Sequence, residues 1–128
     1  MKYPDNKALI SAYITSVGEK QFKELDNILA EDMQFKGPFM AFDSAAAYTG
    51  ALQRLGPILL RNEIREIICD GTDNCVLYDL VAVNDGGIVP CLEWITITNE
   101  KVSGVKLLFD KALFTAVRKA ALMQPENE

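Results

Sequence analysis

Residues 62–109 read NEIREIICDGTDNCVLYDLVAVNDGGIVPCLEWITITNEKVSGVKLLF, and the fold turns on how this run divides. Four segments are rich in Ile, Val, Leu, Thr and aromatic residues: Asn62 to Asp70, Asn74 to Val83, Ile88 to Thr98 and Val102 to Phe109. Such residues suit a pleated, half-buried surface. Between them stand Asp70-Gly71-Thr72-Asp73, Asn84-Asp85-Gly86-Gly87 and Thr98-Asn99-Glu100-Lys101, which carry the Gly, Asn and Asp of tight turns. Connections this short join antiparallel neighbours. The run therefore predicts a meander of four long strands.

Upstream the apolar period changes. Leu9, Ile10, Tyr13, Ile14 and Val17 recur every three or four residues, which predicts a helix from Lys7 to Val17, capped by Asp5 or Asn6 and broken at Gly18. Phe22, Leu25, Ile28 and Leu29 predict a second helix from about Glu19 to Ala30, packed on the first as a hairpin. Met33 to Met40 alternates briefly, as a short strand does, and turns at Gly37-Pro38. Asp43-Ser44 can cap a third helix from Ser44 to Leu55, which Gly56-Pro57 stops. Downstream, Leu113, Val117 and Ala121 repeat every four residues, so 111–128 reads as a C-terminal helical tail. The whole, 1–128, is expected to be one α+β domain. Three N-terminal helices cover one face of a curved antiparallel sheet of four long strands plus a short one.

With 128 residues, 49% hydrophobic, the chain can bury a core without disulfides or metal. Thirteen Lys plus Arg against eighteen Asp plus Glu leave a net charge of −5 and no clustered basic face, which argues against nucleic acid as a partner. There is no histidine, so Ser-His-Asp and Cys-His catalysis and His-ligated metals are excluded, and no metal or cofactor is expected. Cys69, Cys75 and Cys91 form no CxxC pattern and read as reduced thiols in the core. No apolar run approaches the ~20 residues that span a bilayer, and the first residues lack a signal-peptide pattern. A cytoplasmic chain without membrane contact is expected.

Helices followed by a strongly curved antiparallel sheet resemble the cone-shaped nuclear transport factor 2-like superfamily. LDNILAEDMQFKGP (Leu25 to Pro38) resembles the segment where its members leave a helix hairpin for a short strand. ITNEKVSGVKLLFD (Ile97 to Asp110) resembles the hairpin that closes many SnoaL-like polyketide cyclases. Beside the ketosteroid isomerases, the resemblance places Tyr13 and Glu93 at the two oxyanion-hole positions, and Gly37 where the isomerases carry their general-base aspartate. Beside the limonene epoxide hydrolases, Leu80 and Ala82 stand where those enzymes pair an Arg with an Asp, and Asp110 resembles their terminal acid.

Asp79 and Glu93 interrupt apolar strands, and a carboxylate there must be hydrogen-bonded, paired or neutral. Asp79 either faces solvent or pairs with a cation on a neighbouring strand. Glu93 either lines a pocket or forms a surface pair with Lys106 or Arg65. Asp110 either caps the tail helix or serves as a base. The candidate catalytic residues are thus Tyr13, Glu93 and Asp110, and Phe35, Phe39, Met40, Tyr48, Leu52, Tyr78, Trp94 and Leu107 are candidate walls of an apolar cavity. Two functions follow. One is a non-catalytic protein that binds a small apolar or aromatic molecule. The other is a SnoaL- or isomerase-type enzyme that abstracts a proton next to a carbonyl and stabilises the enolate. Strands apolar on both faces, such as Val76 to Val83, further suggest a homodimer formed through the sheet.

Overall fold

The computed structural model describes residues 2–123. The chain opens with α1 (Asn6–Gly18), whose N-cap Asp5 accepts a hydrogen bond from the Ala8 amide at 2.8 Å. Leu9, Ile10, Tyr13, Ile14 and Val17 point into the core, as their spacing requires. The helix ends against the sheet. A Cβ on Gly18 would stand 2.6 Å from the Asn62 backbone nitrogen, so only glycine permits this approach.

The expected second helix is reduced to a 3₁₀ turn, Phe22–Glu24, and one α-helical turn, α2 (Leu25–Ile28). Leu29 and Ala30 belong instead to β1 (Leu29–Lys36). The apolar spacing is helical, but the backbone at Leu29 is captured by a strand lying next to Val102, and that long-range pairing outweighs local preference. The two-residue β2 (Ala41–Phe42) folds back on β1, so the N-terminal half supplies two strands rather than one. Then come α3 (Ala45–Leu55), capped by the Ser44 hydroxyl on the Ala47 amide, and a 3₁₀ turn, Gly56–Ile58.

The meander is present as β3 (Leu59–Asp70), β4 (Asp73–Ala82), β5 (Ile88–Thr98) and β6 (Lys101–Leu108). The six strands form one curved, unclosed sheet in the order β2-β1-β6-β5-β4-β3. All its pairs are antiparallel except β1 with β6, which run parallel because the rest of the chain makes the return.

Burial alternates strictly along β4 and β5. Val76, Tyr78, Leu80, Cys91, Glu93 and Ile95 face inward toward the helices. Leu77, Asp79, Pro90 and Trp94 therefore face outward. On that outer face Arg65, on β3, forms an ion pair with Asp79, so Asp79 belongs to the surface. The tail helix α4 (Lys111–Leu122) is capped by Asp110, and its buried Val117 and Ala121 rest on the β4–β5 turn. Gly86 and Gly87 make room there: a Cβ on Gly86 would lie 2.9 Å from the Ala121 side chain. The end of the expected tail, 124–128, lies outside the described residues.

One expectation about thiols is corrected. Only Cys91 is buried; Cys75 is half-buried and Cys69 exposed. Cys75 shares the outer face with Ile68 and Trp94, and Cys69 is the next-to-last residue of β3. Among the described residues no helix is long and apolar enough to cross a membrane.

Candidate functional site

Glu93 is the only carboxylate buried in the described core, at 2% exposure, because strand alternation turns it toward the helices from the middle of β5. Three tyrosines converge around it. Tyr13, from α1, donates to Oε1 at 2.8 Å, and Tyr78, from β4, donates to Oε2 at 2.5 Å. Tyr48, from the first turn of α3, meets the Tyr13 hydroxyl at 2.5 Å and stacks on Phe35 with ring centroids 4.4 Å apart.

The direction of each bond follows from counting protons. Each phenol has one O–H. Tyr13 gives its proton to Glu93, so Tyr48 must be the donor to Tyr13. With Tyr78 on the other oxygen, all three phenol protons are committed when the carboxylate is ionised, two to Glu93 and one to Tyr13. Neutral Glu93 adds a fourth proton to three bonds, which frees one O–H to donate elsewhere. Burial pushes Glu93 up to about 7, against the opposing pull of the Tyr78 and Tyr13 hydrogen bonds. Burial, followed by the Glu93 charge, holds all three phenols well above their ordinary range. The same causes, in the same order, push the neighbouring Cys91 thiol up to about 12.

Glu93 opens onto a cavity of about 380 Å³ between the sheet, α3 and α4. Of the predicted wall, Phe35, Phe39, Met40, Tyr48, Leu52, Tyr78 and Leu107 do line it. Three predicted residues do not. Tyr13 is fully buried behind Tyr48 and Glu93, so it positions groups that face the cavity without facing it. Trp94 is 50% exposed on the opposite face, because neighbours of an inward residue point outward, and it donates to Asp73 at 3.4 Å. It belongs to a separate open groove with Lys106 and Thr96. Asp110 is exposed, caps α4 by accepting from the Leu113 amide at 2.8 Å, and is off the cavity wall.

Several wall residues were not singled out from the sequence. Phe109 and Phe114 stack at 4.8 Å, with Phe39 at 5.9 Å from each, and form an aromatic rim. Arg54 and Arg118 line the same cavity from α3 and α4. Asn62 donates its Nδ2 to the Ile14 carbonyl at 3.1 Å, while its buried Oδ1 has no partner among the described residues. The i, i+4 spacing of Phe114 and Arg118 is the one sequence signal that could have joined them to the site. Gly37, in the isomerase base position, lines the cavity but supplies no carboxylate. Among the described residues no three Cys, Asp or Glu side chains come together as a metal site.

Solved structures share this architecture. An NTF2-like protein of unknown function from Cytophaga hutchinsonii superposes with a TM-score of 0.76 at 16% identity, covering 90% of this chain and 99% of that one. A hypothetical protein from Catenulispora acidiphila with a ketosteroid isomerase-like fold, in complex with trimethylamine, gives 0.75 at 11%, covering 97% and 100%. A de novo designed protein with a curved β-sheet gives 0.75 at 14%, covering 89% and 92%. The chain has the cone fold of the NTF2-like proteins, and the designed example shows that this fold exists without an evolved activity. No protein-family model matches the chain, and no curated protein matches its sequence.

Proposed function

We propose that this chain binds a small, ring-bearing apolar molecule in the inner cavity and holds one polar atom of it near the Glu93 network. The supporting observation is a buried carboxylate and two tyrosine hydroxyls, Tyr48 and Tyr78, set in an otherwise apolar and aromatic wall. Convergent polar groups in an apolar cavity orient a ligand whose body is held by burial, and about 380 Å³ is within the roughly 300–1,000 Å³ of small-molecule sites. Titration with 2-naphthol, read by its fluorescence, tests the proposal. Saturable binding of one molecule per chain is expected, weakened at least fivefold by Leu52→Trp, which fills the cavity. Absence of saturable binding overturns it.

A second reading, enolate stabilisation, draws on Glu93 being pushed up to about 7, which keeps a neutral donor available near neutrality. It lacks a base. Gly37 occupies that position, and among the described residues Glu93 is the only carboxylate on the wall. Binding is therefore the preferred function, and a steroid enone incubated with the protein should show no double-bond migration above background.

The same reading includes a homodimer through the outer face of the sheet. Ile68, Leu77, Ile88, Trp94 and Leu108 are 42–63% exposed there, and large apolar side chains gathered on one face are a feature of interaction surfaces. Three free cysteines support a reducing, cytoplasmic setting.

A further inference from the structure

We infer that the ligand is an amphipathic carboxylate, whose ring-bearing body fills the cavity and whose anionic end is held at the mouth by Arg54 and Arg118. This rests on the binding function proposed above and specifies the chemical class of what is bound.

Burial orients the cavity. Tyr48, Tyr78, Cys91 and Glu93 are buried and form its floor, whereas Phe39, Met40, Arg54 and Arg118 are exposed and form its mouth. Arg54 and Arg118 line that mouth from different helices. Arg54 is in the last turn of α3, and its Nη1 folds back over Gly50, 3.7 Å from where a Cβ would stand. Arg118 follows Phe114 by one turn on α4, so both share the helix face that carries the aromatic rim. Among the described residues neither arginine has a carboxylate within salt-bridge distance.

The local charge opposes the global one. The chain carries −5 overall, yet among the described residues the mouth of this cavity has two cations and no acid on its wall. Lys111, 5.7 Å from the Phe39 ring centroid, adds a third positive charge at the same rim. The nearest acid in sequence, Asp110, is occupied with the Leu113 amide. A cation pair at an apolar mouth attracts an anion from solution, and arginine recognises a carboxylate by paired, planar hydrogen bonds. The floor fixes the other end. Above its titration Glu93 accepts the Tyr13 and Tyr78 protons while Tyr48 donates to Tyr13, and Asn62 Oδ1 is an acceptor with no partner among the described residues, so a hydroxyl on the far end of the ligand finds acceptors there.

The test compares three probes of one size class by fluorescence titration: 6-hydroxy-2-naphthoate, its methyl ester and 2-naphthol. The expected result is that the acid binds at least tenfold more tightly than either neutral compound in 50 mM salt. That preference should shrink at least threefold in 500 mM salt, because exposed guanidinium groups are screened. In Arg54→Gln/Arg118→Gln, substitutions at exposed positions, the acid-to-alcohol ratio should fall to about one. Equal binding of acid and alcohol by the wild type, or a preference that persists in the double variant, overturns the carboxylate assignment while leaving the cavity function standing. Failure of all three probes to bind overturns both.

Discussion

The hydroxyl of Tyr48 lies 2.5 Å from that of Tyr13, and through this contact α3 is tied to α1 and, one bond further, to Glu93 on the sheet. Helix and sheet layers therefore share a polar joint inside an apolar core. Because Tyr13 both accepts and donates while Tyr48 only donates, the two phenols are not equivalent.

Removing the Tyr13 hydroxyl strands a proton on Tyr48 and an oxygen of Glu93, whereas removing that of Tyr48 leaves only an oxygen on Tyr13 short of a donor. Unpaired buried groups cost about 1–3 kcal/mol each. Tyr13→Phe should accordingly destabilise the fold by about 2–6 kcal/mol and Tyr48→Phe by about half as much, about 1–3 kcal/mol. Urea unfolding of both variants measures the order, and a reversed order contradicts the bond directions.

Glu93 makes stability depend on pH with a defined sign. Its folded pKa, about 7, lies above the ordinary 4.5, so the folded chain holds this proton more tightly than the unfolded chain. Its contribution is complete below about pH 4.5 and is lost as pH rises toward and past 7. The loss amounts to roughly 3 kcal/mol across the window. Glu93→Gln cannot titrate, so the wild-type stability minus that of the variant should fall by this amount between pH 4 and 8. A flat difference would show that the carboxyl titrates normally.

Ligand binding should report the same proton. A compound with only an acceptor oxygen, such as 2-acetonaphthone, needs a donor at the floor, and one is free only when Glu93 is neutral. Its affinity should drop by up to tenfold per pH unit above 7, and binding should take up a proton, detectable by calorimetry in buffers of different ionisation enthalpy. Glu93→Gln should abolish the uptake.

The thiols offer a fourth check. Cys69 should react first with a maleimide, Cys75 more slowly, and Cys91 only on unfolding, since it is buried and its thiol is pushed up to about 12. Labelling of all three at one rate in the native state would contradict the burial described.

On the outer face, light scattering at micromolar concentration should give the mass of a dimer burying about 1,500 Å² or more. Leu77→Lys/Trp94→Lys, at two exposed positions, should yield a folded monomer. A monomeric wild type removes the proposal.

Much of this was legible in the residues themselves. The turn clusters at Asp70-Gly71, Asn84-Asp85-Gly86-Gly87 and Asn99-Glu100 delimit the four long strands to within a few residues. Glu93 stood out because an acid amid alternating apolar residues demands partners, and its partners are two of the chain's tyrosines. Trp94 was misassigned against a rule the sequence already contained: if Glu93 points inward, its neighbour cannot. Leu29 was misassigned for a reason no local pattern discloses, since its strand exists only by virtue of Val102. The arginines escaped notice because Arg54 on α3 and Arg118 on α4 meet at one cavity only through the tertiary packing of two helices far apart in the sequence.

The parallel pairing of β1 with β6 bears on how the molecule is made. Leu29 lies beside Val102, 73 residues later, and β6 is the last of the described strands to leave the ribosome. Until then β1 and the two residues of β2 form a ribbon too small to persist in water. The cavity floor also waits, because β1 carries Phe35, on which Tyr48 stacks. Nascent chains from which Lys101 has not yet emerged should thus remain open to proteolysis between Leu29 and Phe42, and those from which Asp110 has emerged should become resistant in a single step.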